Sequence, residues 1–320
     1  MMQAVEDKYG RSFKTLRVSL LNNCNLGCVY CTMGEEEVKF HNKAKSSSFS
    51  PDDLFHTIRQ LHELINFNVI RLTGGEPLLY GPILPLVKRI KSLGIDDIKL
   101  TTNGLLLERL AKPLKEAGMK SVNVSLDAVD EDVFFLMSRR NKVEKIIKGI
   151  DAAIGAGMEV KLNAVLMKGI NDQQIIPLLQ FASSRGISIR FLEIMAMGHL
   201  YDKAARYLLS KDEILHTIAR HYDFVPVLRK DHATANYWRT SEGNEFGIIA
   251  NESAPFCHDC NRLRLDSEGN IYGCLSDDHP ISVKNLHSEA GLREKLLEAL
   301  QQKQPLRFKG SPLSMLHIGG

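Results

Sequence analysis

Six cysteines in the 320-residue chain fall into two tight groups: Cys24, Cys28 and Cys31 near the start, and Cys257, Cys260 and Cys274 near the end. Thiols at C-x3-C-x2-C and C-x2-C spacing are placed to ligate metal rather than to cross-link loops. Three thiolates satisfy three irons of a cubane cluster and leave the fourth corner for a ligand with its own donor atoms. Zinc is the competing occupant. The second group could be completed by His258 or His279, or Cys28, Cys31, Cys257 and Cys260 could form one site that leaves Cys24 and Cys274 idle.

Two further features could do chemistry. Gly74-Gly75-Glu76-Pro77 follows a β-rich run directly, and glycines at a strand end let a ligand approach the backbone closely. Arg262 and Arg264 lie between the cysteines of the second group. For any single arginine a structural salt bridge is the alternative.

The elements that must position these residues alternate. Strands are predicted over residues 16–21, 68–73, 97–102, 121–127, 159–166 and 187–194. Helical patterns cover 83–93, 105–117, 143–156, 172–184 and 211–221, and another opens with Ser50 as N-cap, Pro51 and Asp52-Asp53. Six strand-then-helix units imply parallel strands with right-handed crossovers. Parity inside the strands favours a barrel over an open doubly wound sheet. Arg17 and Ser19 oppose Leu16, Val18 and Leu20; Asn123, Ser125 and Asp127 oppose Val122, Val124 and Leu126. Lys161 and Asn163, then Ser188 and Arg190, repeat the pattern, whereas the third strand shows no clean alternation. The expected fold is α/β, a partial (β/α)6 TIM-like barrel whose polar lumen needs a polar ligand. Residues 1–222 form the barrel, and 223–320 form a smaller α+β region with a hairpin over 262–266 and 270–274. The polar stretch 33–48 is expected to be a solvated loop.

Composition narrows the function. A net charge of +3 with 25% charged residues disfavours a dedicated nucleic-acid binder. The polar N-terminus lacks the apolar run of a signal peptide, and no stretch reads as a membrane span. A cytoplasmic enzyme is expected.

The cysteine triad followed by Gly-Gly-Glu-Pro resembles the radical S-adenosylmethionine (SAM) superfamily. Arg17, Thr101-Thr102-Asn103-Gly104, Asn123-Val-Ser125-Leu-Asp127, Lys161, Arg190 with Met195, the arginine-bearing second triad and a final Gly-Gly follow in order. Over about residues 10–320 that order resembles the GTP 3′,8-cyclase family of molybdenum-cofactor biosynthesis. The resemblance implies two [4Fe-4S] clusters, one for SAM on Cys24, Cys28 and Cys31, and one for substrate on Cys257, Cys260 and Cys274. It implies SAM contacts at Tyr30, Gly75, Ser125 and Met195. GTP contacts would come from Arg17, Arg71, Thr102, Lys161, Arg190, Arg262, Leu263 and Arg264, and Gly319-Gly320 would support radical initiation. Thr32-Met33 and Asn22-Asn23 depart from the common family residues without removing a ligand. Implied partners are a low-potential electron donor and a next enzyme that takes the product, with the chain a monomer or homodimer. Two other readings stand beside this one, a peptide-modifying radical SAM enzyme and a non-catalytic zinc protein that contacts nucleic acid.

Overall fold

A computed structural model describes residues 5–33, 49–286 and 288–318. Most of the 33–48 stretch and the terminal Gly319-Gly320 therefore lie outside the described residues. Six parallel strands form the centre: β1 (Thr15–Ser19), β2 (Val69–Thr73), β3 (Asp97–Thr102), β4 (Ser121–Ser125), β5 (Glu159–Leu166) and β6 (Ser188–Glu193). Helices α1 (Pro51–Ile65), α2 (Ile83–Lys91), α3 (Leu107–Ala117), α4 (Glu131–Ser138), α5 (Val143–Gly155), α6 (Ile175–Ser183) and α7 (Lys211–Ala219) connect or follow them.

Helix α1 begins as its sequence requires. Ser50 and Asp53 exchange side-chain-to-backbone bonds in a capping box, and Pro51 occupies the first turn. Helix α4 was not anticipated. Its Val133-Phe134-Phe135-Leu136-Met137 run has no clear helical stripe, and it buries Phe134 and Met137 while leaving Phe135 and Leu136 exposed.

The strand parity holds. Leu16, Val18, Ile70, Leu72, Val122, Val124, Leu162, Ala164, Ile189 and Phe191 are fully buried in the core that the helices cover. Strand β3 alternates as well, with Ile98 and Leu100 in that same core. Its pattern was obscured because Thr101 and Thr102 put the same polar residue type on opposite faces.

The C-terminal strands extend the same sheet at both edges. Strand β9 (Glu245–Ile249) lies parallel to β6 and carries β8 (Asn236–Thr240) and β7 (Phe224–Val227) as antiparallel neighbours. Strand β10 (Arg262–Leu265) lies parallel to β1 and carries β11 (Asn270–Tyr272) and β12 (Ile281–Ser282). The sheet runs β12-β11-β10-β1-β2-β3-β4-β5-β6-β9-β8-β7 and stays open between its ends, a partial barrel. Helix α8 (Glu289–Gln301) and the short α9 (Met315–Ile318) complete the fold. Among the described residues no helix is long and apolar enough to cross a membrane.

Candidate active site

The first triad sits just beyond the C-terminal end of β1. Cys24, Cys28 and Cys31 line a cavity of ≈190 Å³ together with Tyr30, Gly75, Thr102, Ser125 and Met195. Four of these are the residues the sequence nominates for SAM. Burial, followed by the nearby Glu76, pushes the Cys24 thiol up to about 11. Burial, then Asp127 and the other two thiols, pushes Cys28 well above the ordinary thiol range. Loading a metal centre here must therefore displace protons, and depends on pH.

Glycine at 74 and 75 answers to the chain itself. A Cβ on Gly75 would stand 2.2 Å from the Asn23 carbonyl oxygen, and one on Gly74 would stand 2.6 Å from that of Leu21. The backbone leading into Cys24 occupies this space. Gly75 N–H donates to Leu21 O and Glu76 N–H to Asn23 O, both at 2.8 Å, which docks the cysteine loop on the end of β2. Gly75→Ala is expected to destabilise the chain by about 1–3 kcal/mol, because a carbonyl cannot yield as a side chain can. Urea unfolding measures this, and an unchanged midpoint would contradict it.

Two buried carboxylates that the sequence reading passed over hold the site. Glu76 accepts from Thr102 Oγ1 at 2.6 Å, Asn103 N–H at 2.7 Å and Leu78 N–H at 2.9 Å. Thr102 thus spends its hydroxyl on Glu76, while Thr101 receives Arg71 Nη1 at 3.3 Å. Asp127 accepts from the Tyr30 hydroxyl at 2.9 Å and from Val165 N–H at 2.8 Å. The Glu-Pro after the glycines and the position of Asp127 at a strand end were the available signals.

Burial raises the Glu76 carboxyl to about 7 even though its three donors act in the opposite sense. The folded chain therefore holds this proton more tightly than the unfolded chain, and the associated stability declines as pH rises towards 7. Glutamine mimics the protonated acid. In the cluster-free chain, Glu76→Gln should gain on the wild type when urea midpoints taken at about pH 5.5 and about pH 8 are compared. A gap independent of pH would refute this.

The lumen beneath is cationic. Arg17 is in register with Arg71 on one side and Arg264 on the other, and Arg71 with Lys99. Asn163 is in register with Arg190 and accepts its Nε–H at 2.9 Å. Burial first, and then Arg264, Arg71, Arg262 and Arg190, drive the Arg17 pKa well below its usual value. Burial holds Arg71 at about 9 and Arg264 at about 10. Guanidinium groups keep their proton in proteins, so these shifts register the cost of burial, and after it mutual repulsion, rather than neutral arginine. Arg17 Nε and Arg190 Nη2 are buried without a hydrogen-bond partner. Orphaned cationic donors of this kind are costly unless an anion meets them. Lys161 Nζ lies 5.4 Å from the centre of the Tyr237 ring. Leu263 points the other way: its side chain is fully buried in the core, in register with Leu16, which leaves only its peptide for a ligand.

The second triad lies beside this cluster. Burial and the neighbouring Cys274 and Cys260 push Cys257 up to about 11. For Cys260 burial is outweighed by Arg262 and then Lys303, which bring it down to about 6. Arg262 itself stacks 5.3 Å from the centre of the Phe256 ring. The segment before the C-terminus bridges the two halves of the site: Ser314 Oγ–H donates to Cys31 O at 3.2 Å, and Arg264 Nη1 donates to Ile318 O at 3.4 Å. Met315 and Leu316 line the cavity of the first triad, so this segment packs against that site.

Sulfur spacing bears on what each triad could hold. Tetrahedral zinc with Zn–S bonds of about 2.3 Å requires sulfurs roughly 3.8 Å apart. Among the described residues, the only group of three or more metal-ligating side chains within 4.8 Å of one another is Asp277, Asp278 and His279. At least one sulfur pair in each triad is wider than that. This span suits a cluster with an iron under each thiolate better than one shared ion, and it also opposes a site combining Cys28, Cys31, Cys257 and Cys260.

Residues 18–182 match the family described as the radical SAM superfamily, and residues 187–309 match the family described as Molybdenum Cofactor Synthesis C. A protein of Staphylococcus saprophyticus named GTP 3′,8-cyclase is 38% identical over 306 residues, covering 93% of this chain and 89% of that protein. Proteins of the same name from Staphylococcus epidermidis and Staphylococcus aureus are 38% and 39% identical, each over 86% of this chain and 82% of their own length. Streptococcus suis SuiB bound to S-adenosylmethionine shares the fold, with a TM-score of 0.64 at 15% identity over 94% of this chain and 77% of that one. So does anSMEcpe with bound AdoMet, with a TM-score of 0.63 at 16% identity over 91% of this chain and 82% of that one. Cysteine pattern, partial barrel and relatives agree: the chain belongs to the GTP 3′,8-cyclase family of the radical SAM superfamily.

Proposed function

We propose that this chain is a radical SAM lyase that cyclises GTP to (8S)-3′,8-cyclo-7,8-dihydroguanosine 5′-triphosphate, the first step of molybdenum cofactor biosynthesis. The observation that carries the substrate is the row Arg264-Arg17-Arg71 on adjacent strands, with Arg17 Nε and Arg190 Nη2 buried and unpartnered. A triphosphate with about four negative charges matches such donors, since each charge-assisted hydrogen bond contributes on the order of 1.5–3 kcal/mol.

In this reading each triad holds a [4Fe-4S] cluster, the first for SAM and the second for the guanine base. Cys24, Cys28 and Cys31 would leave one iron for the SAM amino and carboxylate groups, with Tyr30, Gly75, Ser125 and Met195 around the cofactor. Bound SAM, once reduced by one electron, would supply the means of taking hydrogen from the ribose C3′, and closing that carbon onto C8 to the 7,8-dihydro product would call for one further electron and one proton. The protein's own part is to bind, orient and exclude water. Arg17, Arg71, Lys161, Arg190, Arg262 and Arg264 would grip the nucleotide, with Thr102 and the Leu263 peptide beside them. The cavity beside the first triad would keep the radical from solvent. Gly319 and Gly320 would assist radical initiation. Residues 1–222 would form the radical SAM barrel and residues 223–320 the region that carries the second cluster and the Gly-Gly tail, in a cytoplasmic monomer or homodimer. A low-potential electron donor feeds the first cluster, and a following enzyme takes the product.

Anaerobic incubation with SAM, dithionite and GTP tests the reading. 5′-Deoxyadenosine and a cyclised nucleotide should appear together. 5′-Deoxyadenosine formed without any change to GTP would refute the substrate.

A further inference from the structure

Three consecutive residues after α8 hold every cysteine position of the second triad. Gln302 Oε1 accepts from Gly273 N–H at 2.7 Å, next to Cys274. Lys303 Nζ lies 2.8 Å from Cys260 O, 3.5 Å from Cys260 Sγ and 3.3 Å from Arg262 O. Gln304 O accepts from Arg11 Nη1 at 2.8 Å, and the same nitrogen donates to Cys257 O at 2.9 Å. The docking is tight, because a Cβ on Gly273 would stand 1.7 Å from the carbonyl oxygen of Ala299 in the last turn of α8.

Charge around this clasp is unevenly compensated. Arg11 pairs with Asp7 at 2.6 Å, and Asp259, between two of the cysteines, is gripped by Arg229 at 2.9 and 3.0 Å. Arg262 rests on Phe256, and Arg264 reaches towards the C-terminal segment. Lys303 is only 6% exposed, its ammonium lies 4.8 Å from the centre of the Phe13 ring, and among the described residues it has no carboxylate partner. Its charge therefore bears directly on the Cys260 sulfur.

We infer that Lys303 is a positioning residue that raises the reduction potential of the metal centre held by Cys257, Cys260 and Cys274. The inference rests on the proposal that this triad carries an iron–sulfur cluster. Taking up one electron makes such a cluster one unit more negative, and a cation donating to a ligand sulfur stabilises that form. A buried ammonium without a counter-ion is expensive for the fold, and this effect on the cluster is what the lysine provides in return.

The test uses the full chain with Cys24→Ala, Cys28→Ala and Cys31→Ala, so that the second cluster is observed alone after anaerobic reconstitution. About four irons per chain are expected; none would defeat the cluster reading itself, whatever Lys303 does. Dithionite, a one-electron reductant through its radical, then poises the sample with mediators while electron paramagnetic resonance reads the reduced fraction. In this background Lys303→Met should keep its iron while the ratio of reduced to oxidised cluster falls at least about tenfold, equivalent to roughly 59 mV. Lys303→Arg should stay within about threefold of the parent, a shift below the same roughly 59 mV step. An unchanged ratio in an iron-loaded Lys303→Met overturns the inference. Should that variant fail to load, Lys303→Gln is read against the same expectation. Failure of both neutral variants to load while Lys303→Arg loads normally would make the lysine a structural tether and also overturn it.

Discussion

Cys28→Ala is expected to leave a chain that binds about four irons rather than about eight, and that no longer cleaves SAM. Cys28 is the middle cysteine of the first triad, and its neighbours reach into the rest of the fold. Cys31 O accepts from Ser314 in the C-terminal segment, and the loop is pinned to α4 through Gly27 N–H to Ser138 O and Val29 N–H to Met137 O. Removing one thiol should leave this scaffold in place and, on the proposed assignment, strip an iron of its anchor, so the loss should be chemical rather than structural. Cys260→Ala serves as the mirror experiment. It should also reduce the iron to about four per chain, yet leave 5′-deoxyadenosine formation measurable. The pair of iron counts, with SAM cleavage assayed under dithionite, separates the two triads. Loss of SAM cleavage in both variants, or in neither, would break the assignment of the first triad to SAM.

Arg17→Ala and Arg264→Ala are each expected to weaken GTP binding about 10- to 150-fold while SAM cleavage survives, the range set by roughly 1.5–3 kcal/mol per charge-assisted bond. The two arginines face one another in strand register across the β1–β10 pair. Their guanidiniums are close enough to depress the pKa of Arg17 after burial has done so. Deleting Arg17, whose Nε has no partner, relieves repulsion in the empty site, so the apo Arg17→Ala chain should lose no stability. That contrast distinguishes a ligand-binding cluster from a structural one. Arg17→Lys should recover only part of the affinity, because an ammonium cannot reproduce the planar fork. Equilibrium binding of GTP together with urea unfolding checks both limbs. Wild-type affinity in either alanine variant would remove GTP from the lumen.

Much of this protein could be read from local pattern. Six strand-helix units, the Ser50 cap and the placing of Arg17, Lys161, Asn163 and Arg190 on one face all follow from periodicities of 2 and 3.6. Helix α4 escaped because its apolar residues are not striped, and β3 because threonines occupied both faces. Gly74 and Gly75 read locally as ligand access, and the fold adds a second demand for glycine there, because the carbonyls of Leu21 and Asn23 stand where their Cβ atoms would be.

By itself the sequence determined the two cysteine groups, the repeating α/β unit and the sign of the lumen, since each depends on residue types at short, regular spacing. Tertiary structure alone decided that β10 closes on β1 and β9 on β6, bringing Arg264 beside Arg17. It alone gave Glu76, Asp127, Arg11 and Lys303 their partners. Those contacts join segments far apart in the chain, and a buried charge acquires its role from whatever the fold leaves within a few ångströms of it.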